Sequence, residues 1–194
     1  FPQDVLEVQA FLAPAGPNQR IRAVPAAGTE VPLWILGSSN FGAMLAAELG
    51  LQYAFASHFA PGQMEEAIEV YRTTFRPSER WPQSHLMLAL NVFAADTDDE
   101  AHYQATSMQQ AFVNLRSGRP TRLQPPVRGY LEALGPQERG MLDAVLSCSA
   151  IGSPATVAAQ LKAFIAHTRA DELMITTMVH DQSDRLRSYE LVAE

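Results

Sequence analysis

From residue 31 onward, apolar stretches of strand length alternate with stretches of helical period. Val31–Leu36 is a continuous apolar run ending in Gly37-Ser38-Ser39. It is too short for a buried helix and predicts a strand covered on both faces. Phe41, Leu45, Ala46 and Leu49 then repeat with helical spacing, and Gly50 supplies a C-terminal stop. Tyr53–Phe59 predicts the next strand, broken by Pro61 and Gly62. Met64, Ile68, Tyr71 and Phe75 follow at steps of four, three and four, an amphipathic helix. His85–Ala95 predicts a third, long strand.

Thr97 and Glu100 form a capping-box pattern before a helix whose apolar face carries Met108, Ala111, Phe112 and Leu115. Residues 117–127 read as a Pro- and Arg-rich loop, and 128–134 and 136–146 as two short helices. Ser153-Pro154 is an N-cap followed by Pro at the first helical position, and Val157, Leu161, Phe164 and Ile165 continue that helix. Glu172–Val179 predicts a fourth strand and Asp184–Val192 a last helix. Before residue 31 the pattern is broken by Pro2, Pro14, Pro17, Pro25, Gly16 and Gly28. A short helix at Val5–Phe11 and an edge strand at Arg20–Val24 are expected there.

The order is strand–helix four times over, with a long insertion, 117–147, before the last strand. Repeated βα units with apolar strands mean a parallel sheet covered by helices. Four units fit half of an eight-stranded barrel, or a small doubly wound sheet; a whole barrel usually needs about 250 residues. The 194 residues are read as a single partial domain.

Composition narrows the partners. At 47% hydrophobic and 18% charged residues, the chain has the apolar mass for a core. A net charge of −7 without basic clusters argues against nucleic acid. No apolar stretch approaches the roughly 20 residues that span a bilayer, and no signal peptide is visible at the start. The first residue is Phe1, not Met, so a start inside a longer protein is an open expectation. The single cysteine, Cys148, excludes an internal disulfide, and a cytoplasmic location is expected.

In a parallel α/β sheet, ligands bind beyond the carboxyl ends of the strands. The loop Gly37-Ser38-Ser39-Asn40-Phe41-Gly42 joins glycines, hydroxyl donors and a helix start, a cradle suited to phosphate. A plain serine N-cap after a strand fits the same residues. The spacing is not the G-x-G-x-x-G fingerprint, which counts against the doubly wound alternative, and the loop lacks the lysine of a P-loop. Ser57 and His58 close the second strand; His58 could carry a proton near neutral pH or be hydrogen-bonded within its loop. His180-Asp181 closes the fourth strand, but adjacent residues of an extended chain point opposite ways, so Asp181 is expected to cap the last helix or to pair with Arg185 or Arg187. His85, His102, His167 and His180 lack metal-ligand spacing, so no metal site is expected. Cys148 reads as a buried thiol, and the acidic run Asp96, Asp98, Asp99, Glu100 as charge at a helix start.

Residues 31–61 carry a more specific pattern. Pro32-Leu33-Trp34-Ile35-Leu36-Gly37-Ser38-Ser39, Ala46-Ala47-Glu48-Leu49-Gly50-Leu51 and Tyr53-Ala54-Phe55-Ala56-Ser57-His58-Phe59-Ala60-Pro61 resemble the bacterial luciferase-like flavin monooxygenases. Ile151-Gly152-Ser153-Pro154, Asp171-Glu172-Leu173-Met174 and Arg185-Leu186-Arg187-Ser188-Tyr189-Glu190-Leu191 look like that family's ending. The resemblance implies a TIM-type (β/α)8 barrel of which this chain is the C-terminal half, the fifth to eighth strands. It implies FMN, or in relatives the deazaflavin F420, at the carboxyl ends of the strands. The 117–147 insertion falls where luciferases carry a mobile loop over the site.

Ser39 matches a serine of the luciferase phosphate pattern, while Ser38 and Gly42 stand where that pattern has an acidic residue and a threonine. Gly37, Ser38, Asn40 and Phe41 are the next phosphate candidates, and Ser57 and His58 fall on the strand end approaching the flavin ring. No catalytic base is assigned. The implied activity is oxygenation of a small organic substrate by O2 through a flavin C4a-peroxide, with reduced FMN supplied by a flavin reductase. The alternatives are flavin binding without turnover, an inactive half-barrel and an F420-dependent oxidoreductase. Open sheet edges imply pairing, either as a homodimer or with a missing N-terminal half.

Overall fold

The computed structural model describes residues 1–78 and 80–193. The elements run α1 (Pro2–Leu12), β1 (Trp34–Gly37), α2 (Asn40–Glu48), β2 (Gln52–Phe55), a 3-10 turn (Pro61–Gln63), α3 (Met64–Thr74), β3 (Leu86–Ala94), α4 (Asp98–Arg116), α5 (Tyr130–Ala133), α6 (Pro136–Val145), β4 (Ser149–Gly152), α7 (Pro154–Thr168), β5 (Glu172–Thr176) and α8 (Gln182–Ala193). Every strand pairing is parallel. Among the described residues no helix is long and apolar enough to cross a membrane.

Two expectations are corrected. Arg20–Val24 is not a strand: residues 24–28 form turns, and β1, the strand nearest in sequence, pairs with β2 alone. The stretch before the last strand holds more than the helices of the insertion: just past residue 147 comes β4, four residues that no periodicity announces. The sheet therefore has five strands rather than four.

β3 organises this sheet, and its length has a reason. The Tyr53 N–H donates to the His85 carbonyl, and the Asn91 N–H donates to the Cys148 carbonyl. Both bonds use odd-numbered residues, so β2 and β4 follow one another along a single edge of β3. The Asp171 N–H donates to the Leu86 carbonyl, which puts β5 on the opposite edge. A strand that serves three partners must be long, and β3 spans nine residues.

One sheet face is packed by helices. Ile35, Tyr53, Phe55, Leu86 and Leu88 join Ala43, Ala46, Ala67, Ile68 and Tyr71 of α2 and α3 in one core. Leu90, Val92 and Ala94 join Val157 of α7 and Leu191 of α8 in another. The alternate positions point to the opposite face: Trp34, Leu36, Ala54, Met87 and Met174. There Leu36 is 71% exposed and Met174 53%. Only higher along β3 is that face covered, where Phe93 packs against Ala105, Met108 and Phe112 of α4 and Leu142 and Val145 of α6. α4 and α6 thus sit over the carboxyl-end part of the sheet.

Thr97 caps α4 as expected, its hydroxyl accepting the Glu100 N–H at 3.2 Å. The Glu100 carboxylate turns instead toward Arg128, so the reciprocal half of the box is absent. Ser153 stands at the N-cap of α7 without a side-chain capping bond. Its N–H donates at 2.6 Å to Asp98, and this bond holds the Asp98 carboxyl below its ordinary pKa.

Candidate functional site

The loops after β1 and β2 lie side by side, because Gly37 is in register with Phe55 and its carbonyl accepts the Ala56 N–H at 2.9 Å. Residues 37–42 and 56–58 are therefore neighbours at the carboxyl end of the sheet, as the sequence predicts.

Within the first loop each residue has a distinct place. Ser39 is the N-cap of α2 in extended backbone, exposed, and its side chain makes no capping bond. Asn40 and Phe41 begin α2, whose first-turn N–H groups find no acceptor within the helix. The Asn40 Oδ1 is buried without a hydrogen-bond partner. Ser38 lines a cavity beside Phe59 and Pro61.

Gly37 and Gly42 carry a different role from close approach to a ligand. A Cβ on Gly37 would lie 3.4 Å from the Tyr53 hydroxyl, and one on Gly42 would lie 3.3 Å from the Tyr53 ring. The two glycines make room for Tyr53, which is fully buried and donates its hydroxyl to the Ser39 carbonyl at 3.2 Å. Burial raises the Tyr53 pKa far above the ordinary phenol value, so the hydroxyl stays protonated and the bond persists across the working pH range. In the sequence Tyr53 opens a strand and belongs to the family motif; its place under the loop needs the β1–β2 register, which no local pattern carries.

The second loop separates Ser57 from His58. Ser57 is fully buried, and its hydroxyl donates to the Ala89 carbonyl at 2.6 Å while accepting the Ala89 N–H at 3.1 Å. This corrects its reading as a cofactor contact: the hydroxyl is spent on the β3 edge, in the gap where β2 has ended and β4 has not begun. His58 is half-buried, with its carbonyl held by the Asn91 amide at 2.9 Å and its Nδ1 buried without a partner. Burial lowers the His58 pKa, so the ring is neutral at pH 7.

That shift makes a stability prediction. The folded pKa lies below the unfolded value, so the unfolded chain takes up the proton first. Stability is therefore full above about pH 6.5 and declines as pH falls through the unfolded value toward the folded one. In urea unfolding at about pH 7.5 and 5.5, His58→Gln should lose less stability on acidification than the unsubstituted protein. An equal loss in both would dismiss His58 as the group responsible.

The other chemistry-bearing residues lie apart from this pair of loops. Asp181 caps α8, accepting the Ser183 N–H at 2.8 Å, and its carboxyl is held below the ordinary range chiefly by the Ser183 hydroxyl. Arg187 pairs with Asp96 at 3.0 Å, not with Asp181. His85 pairs with Glu172 and His167 with Glu65, each at 2.8 Å. Cys148 is buried against Met64, and burial pushes its thiol up to about 11. No metal-binding cluster occurs among the described residues.

Comparison with known proteins identifies the family. The family model described as luciferase-like monooxygenase matches residues 7–172. The chain belongs to the luciferase-like monooxygenase family. A protein of that name from Escherichia coli is 41% identical over 194 residues, which is all of this chain and 58% of the relative. The crystal structure of apo-MsnO8 aligns with a TM-score of 0.78 at 29% identity, over 99% of this chain and 58% of that one. The chain thus spans little more than half the length of these relatives, and its parallel βα units form half of a (β/α)8 barrel.

More distant structures share the luciferase-like fold. The oxygenating constituent of 3,6-diketocamphane monooxygenase from Pseudomonas putida, in complex with FMN, aligns at TM-score 0.55 and 18% identity over 87% of this chain and 48% of that one. The coenzyme F420 dependent tetrahydromethanopterin reductase of Methanopyrus kandleri aligns at 0.59 and 15% over 99% and 60%.

Proposed function

We propose that this chain forms the carboxyl-terminal half of an FMN-dependent monooxygenase that oxygenates a small organic substrate. The carrying observation is the pair of orphaned polar atoms, Asn40 Oδ1 and His58 Nδ1, at the ends of neighbouring strands. A buried polar atom without a partner costs free energy unless something fills its place. A flavin suits this donor set: an acceptor at Asn40, a neutral imidazole at His58, and the free serine and first-turn N–H groups of α2 for its phosphate. When bound, reduced flavin supplies the activation of O2.

The chain's own residues then have defined tasks. Ser39 and the start of α2 hold the phosphate, with Ser38 and Phe41 beside it. Tyr53 keeps that loop in place from beneath. Neutral His58 accepts or donates one hydrogen bond at the ring without bringing a charge. The 117–147 segment, with α6 over Phe93, serves as a cover that keeps water from the reacting groups. The remaining contacts, to substrate and to the rest of the flavin, come from the half of the barrel beyond this chain. Reduced flavin comes from a separate reductase.

Titration with FMN, followed by quenching of flavin fluorescence, tests this. Ser39→Asp should weaken FMN binding at least about tenfold, because a carboxylate would face the phosphate dianion at short range. Failure of the unsubstituted protein to bind FMN with the other half of the barrel present would end the reading.

A second reading, flavin binding without turnover, needs the same two loops and no residue assigned to proton transfer. Oxygen uptake with a reductase and a panel of aldehydes and ketones separates the two. F420-dependent chemistry predicts that F420 displaces FMN in the same titration.

A further inference from the structure

Ser38 shares a cavity of about 290 Å³ with Phe59, Pro61, Gln63, Val145 and Arg116. Among the described residues Arg116 is its only charged lining residue, and no carboxylate lines it. That is unusual in a chain of net charge −7. Arg76, Arg128 and Arg187 are each in an ion pair, whereas Arg116 forms none among the described residues. A guanidinium beside apolar walls, with no counter-charge of its own, suits an anionic group carried on an apolar body.

The position of Arg116 is built, not incidental. It lies in the last turn of α4, and the turn before it is pinned by Phe112 and Val113, which pack against Leu142 and Val145 of α6. Val145 also lines the cavity. The same packing that covers Phe93 therefore carries a cation from α4 to the loop after β1. No local pattern announces a basic residue at this loop, because Arg116 lies 78 positions beyond Ser38 in the chain.

We infer that Arg116 is a second phosphate-binding residue of the flavin site, acting beside Ser38 on the phosphate monoester. The inference rests on the flavin reading above and adds what that reading lacks, a positive charge from this half of the barrel. The arginine discriminates FMN from riboflavin, which has no phosphate. It also ties flavin occupancy to the placement of α4 and α6.

Parallel titrations with FMN and riboflavin test it, using the purified protein, Arg116→Gln and Arg116→Lys. In the unsubstituted protein FMN should bind at least about tenfold more tightly than riboflavin. Arg116→Gln should weaken FMN by about tenfold and leave riboflavin unchanged, collapsing that preference. Arg116→Lys should recover part of it, since the charge remains without the planar fork. Thermal unfolding should be the same in all three, because Arg116 is exposed. An Arg116→Gln protein that keeps the full FMN preference overturns this assignment and leaves the flavin reading standing. A protein that binds neither flavin with the other half of the barrel present overturns both. Equal loss of FMN and riboflavin overturns the phosphate role, placing Arg116 at the ring or at a substrate anion.

Discussion

Ser57→Ala should be among the most destabilising single-atom deletions in this protein, lowering the unfolding free energy by about 2–6 kcal/mol. The figure follows from where the hydroxyl sits. β2 and β4 share one edge of β3, and between them the backbone of Ala89 would face nothing. Ser57 Oγ fills that gap alone, accepting the Ala89 N–H and donating to the Ala89 carbonyl. Alanine would leave a buried donor and a buried acceptor unpaired, at about 1–3 kcal/mol each. For a domain whose whole stability is about 5–15 kcal/mol, that is a large share.

An internal control lies on the other edge of β3. Beyond the end of β5, the Ala94 N–H donates to the hydroxyl of buried Ser188 at 3.0 Å. Ser188→Ala should cost about half as much, because one group rather than two is orphaned. Urea unfolding of the three proteins gives the comparison. A Ser57→Ala protein as stable as the parent would mean that water replaces the hydroxyl or that β2 and β4 close up. Ser57→Val should be worse than alanine, since a fully buried site must then also admit extra volume.

These two serines show which parts of the molecule are legible along the chain. β1, β2, β3 and β5 announce themselves as apolar runs, because one of their faces is packed by α2, α3, α7 and α8. Their limits are less visible. β1 begins at Trp34 rather than Val31, and Pro32, which has no N–H, cannot donate to a ladder. β2 stops at Phe55 rather than Phe59, because the N–H groups of Phe59 and Ala60 turn back to the Ala56 carbonyl. β4 is invisible in composition: Ser149-Ala150-Ile151-Gly152 becomes a strand only because Asn91–Ala94 offers it an edge.

The site follows the same division. That chemistry belongs at residues 37–42 and 56–58 is readable from the alternation of strands and helices, since strand ends are where ligands reach a parallel sheet. What each residue does there is not. The role of Ser57 depends on Ala89, and that of Gly37 and Gly42 on Tyr53. Each is a packing partner from another strand. Arg116 is further still, brought to the loop by a helix that crosses over the sheet.

Gly42→Val should disable the site while leaving the fold in place. A Cβ at residue 42 would sit 3.3 Å from the Tyr53 ring and 3.4 Å from the Gly37 Cα. For Gly42→Ala these tight contacts compete with the roughly 1 kcal/mol that alanine gains over glycine inside a helix. The alanine variant should be close to neutral in stability. Valine brings two further methyl groups into the same space and loses part of that helical gain.

Overpacking of this kind costs about 1–3 kcal/mol, and the side chain that must move is Tyr53. Its displacement breaks the bond from its hydroxyl to the Ser39 carbonyl, so the residue at the N-cap of α2 loses its anchor. FMN binding should fall by about tenfold or more in Gly42→Val, since the cradle must then be ordered at the expense of binding. Tyr53→Phe separates the two contributions: it removes the anchor without the clash, and should lose FMN affinity by a smaller factor while remaining folded. Should Gly42→Val bind FMN as the parent does, the Tyr53 anchor has no part in holding the loop. Should it instead unfold, Tyr53→Phe still decides, because its change deletes one hydroxyl and adds no volume.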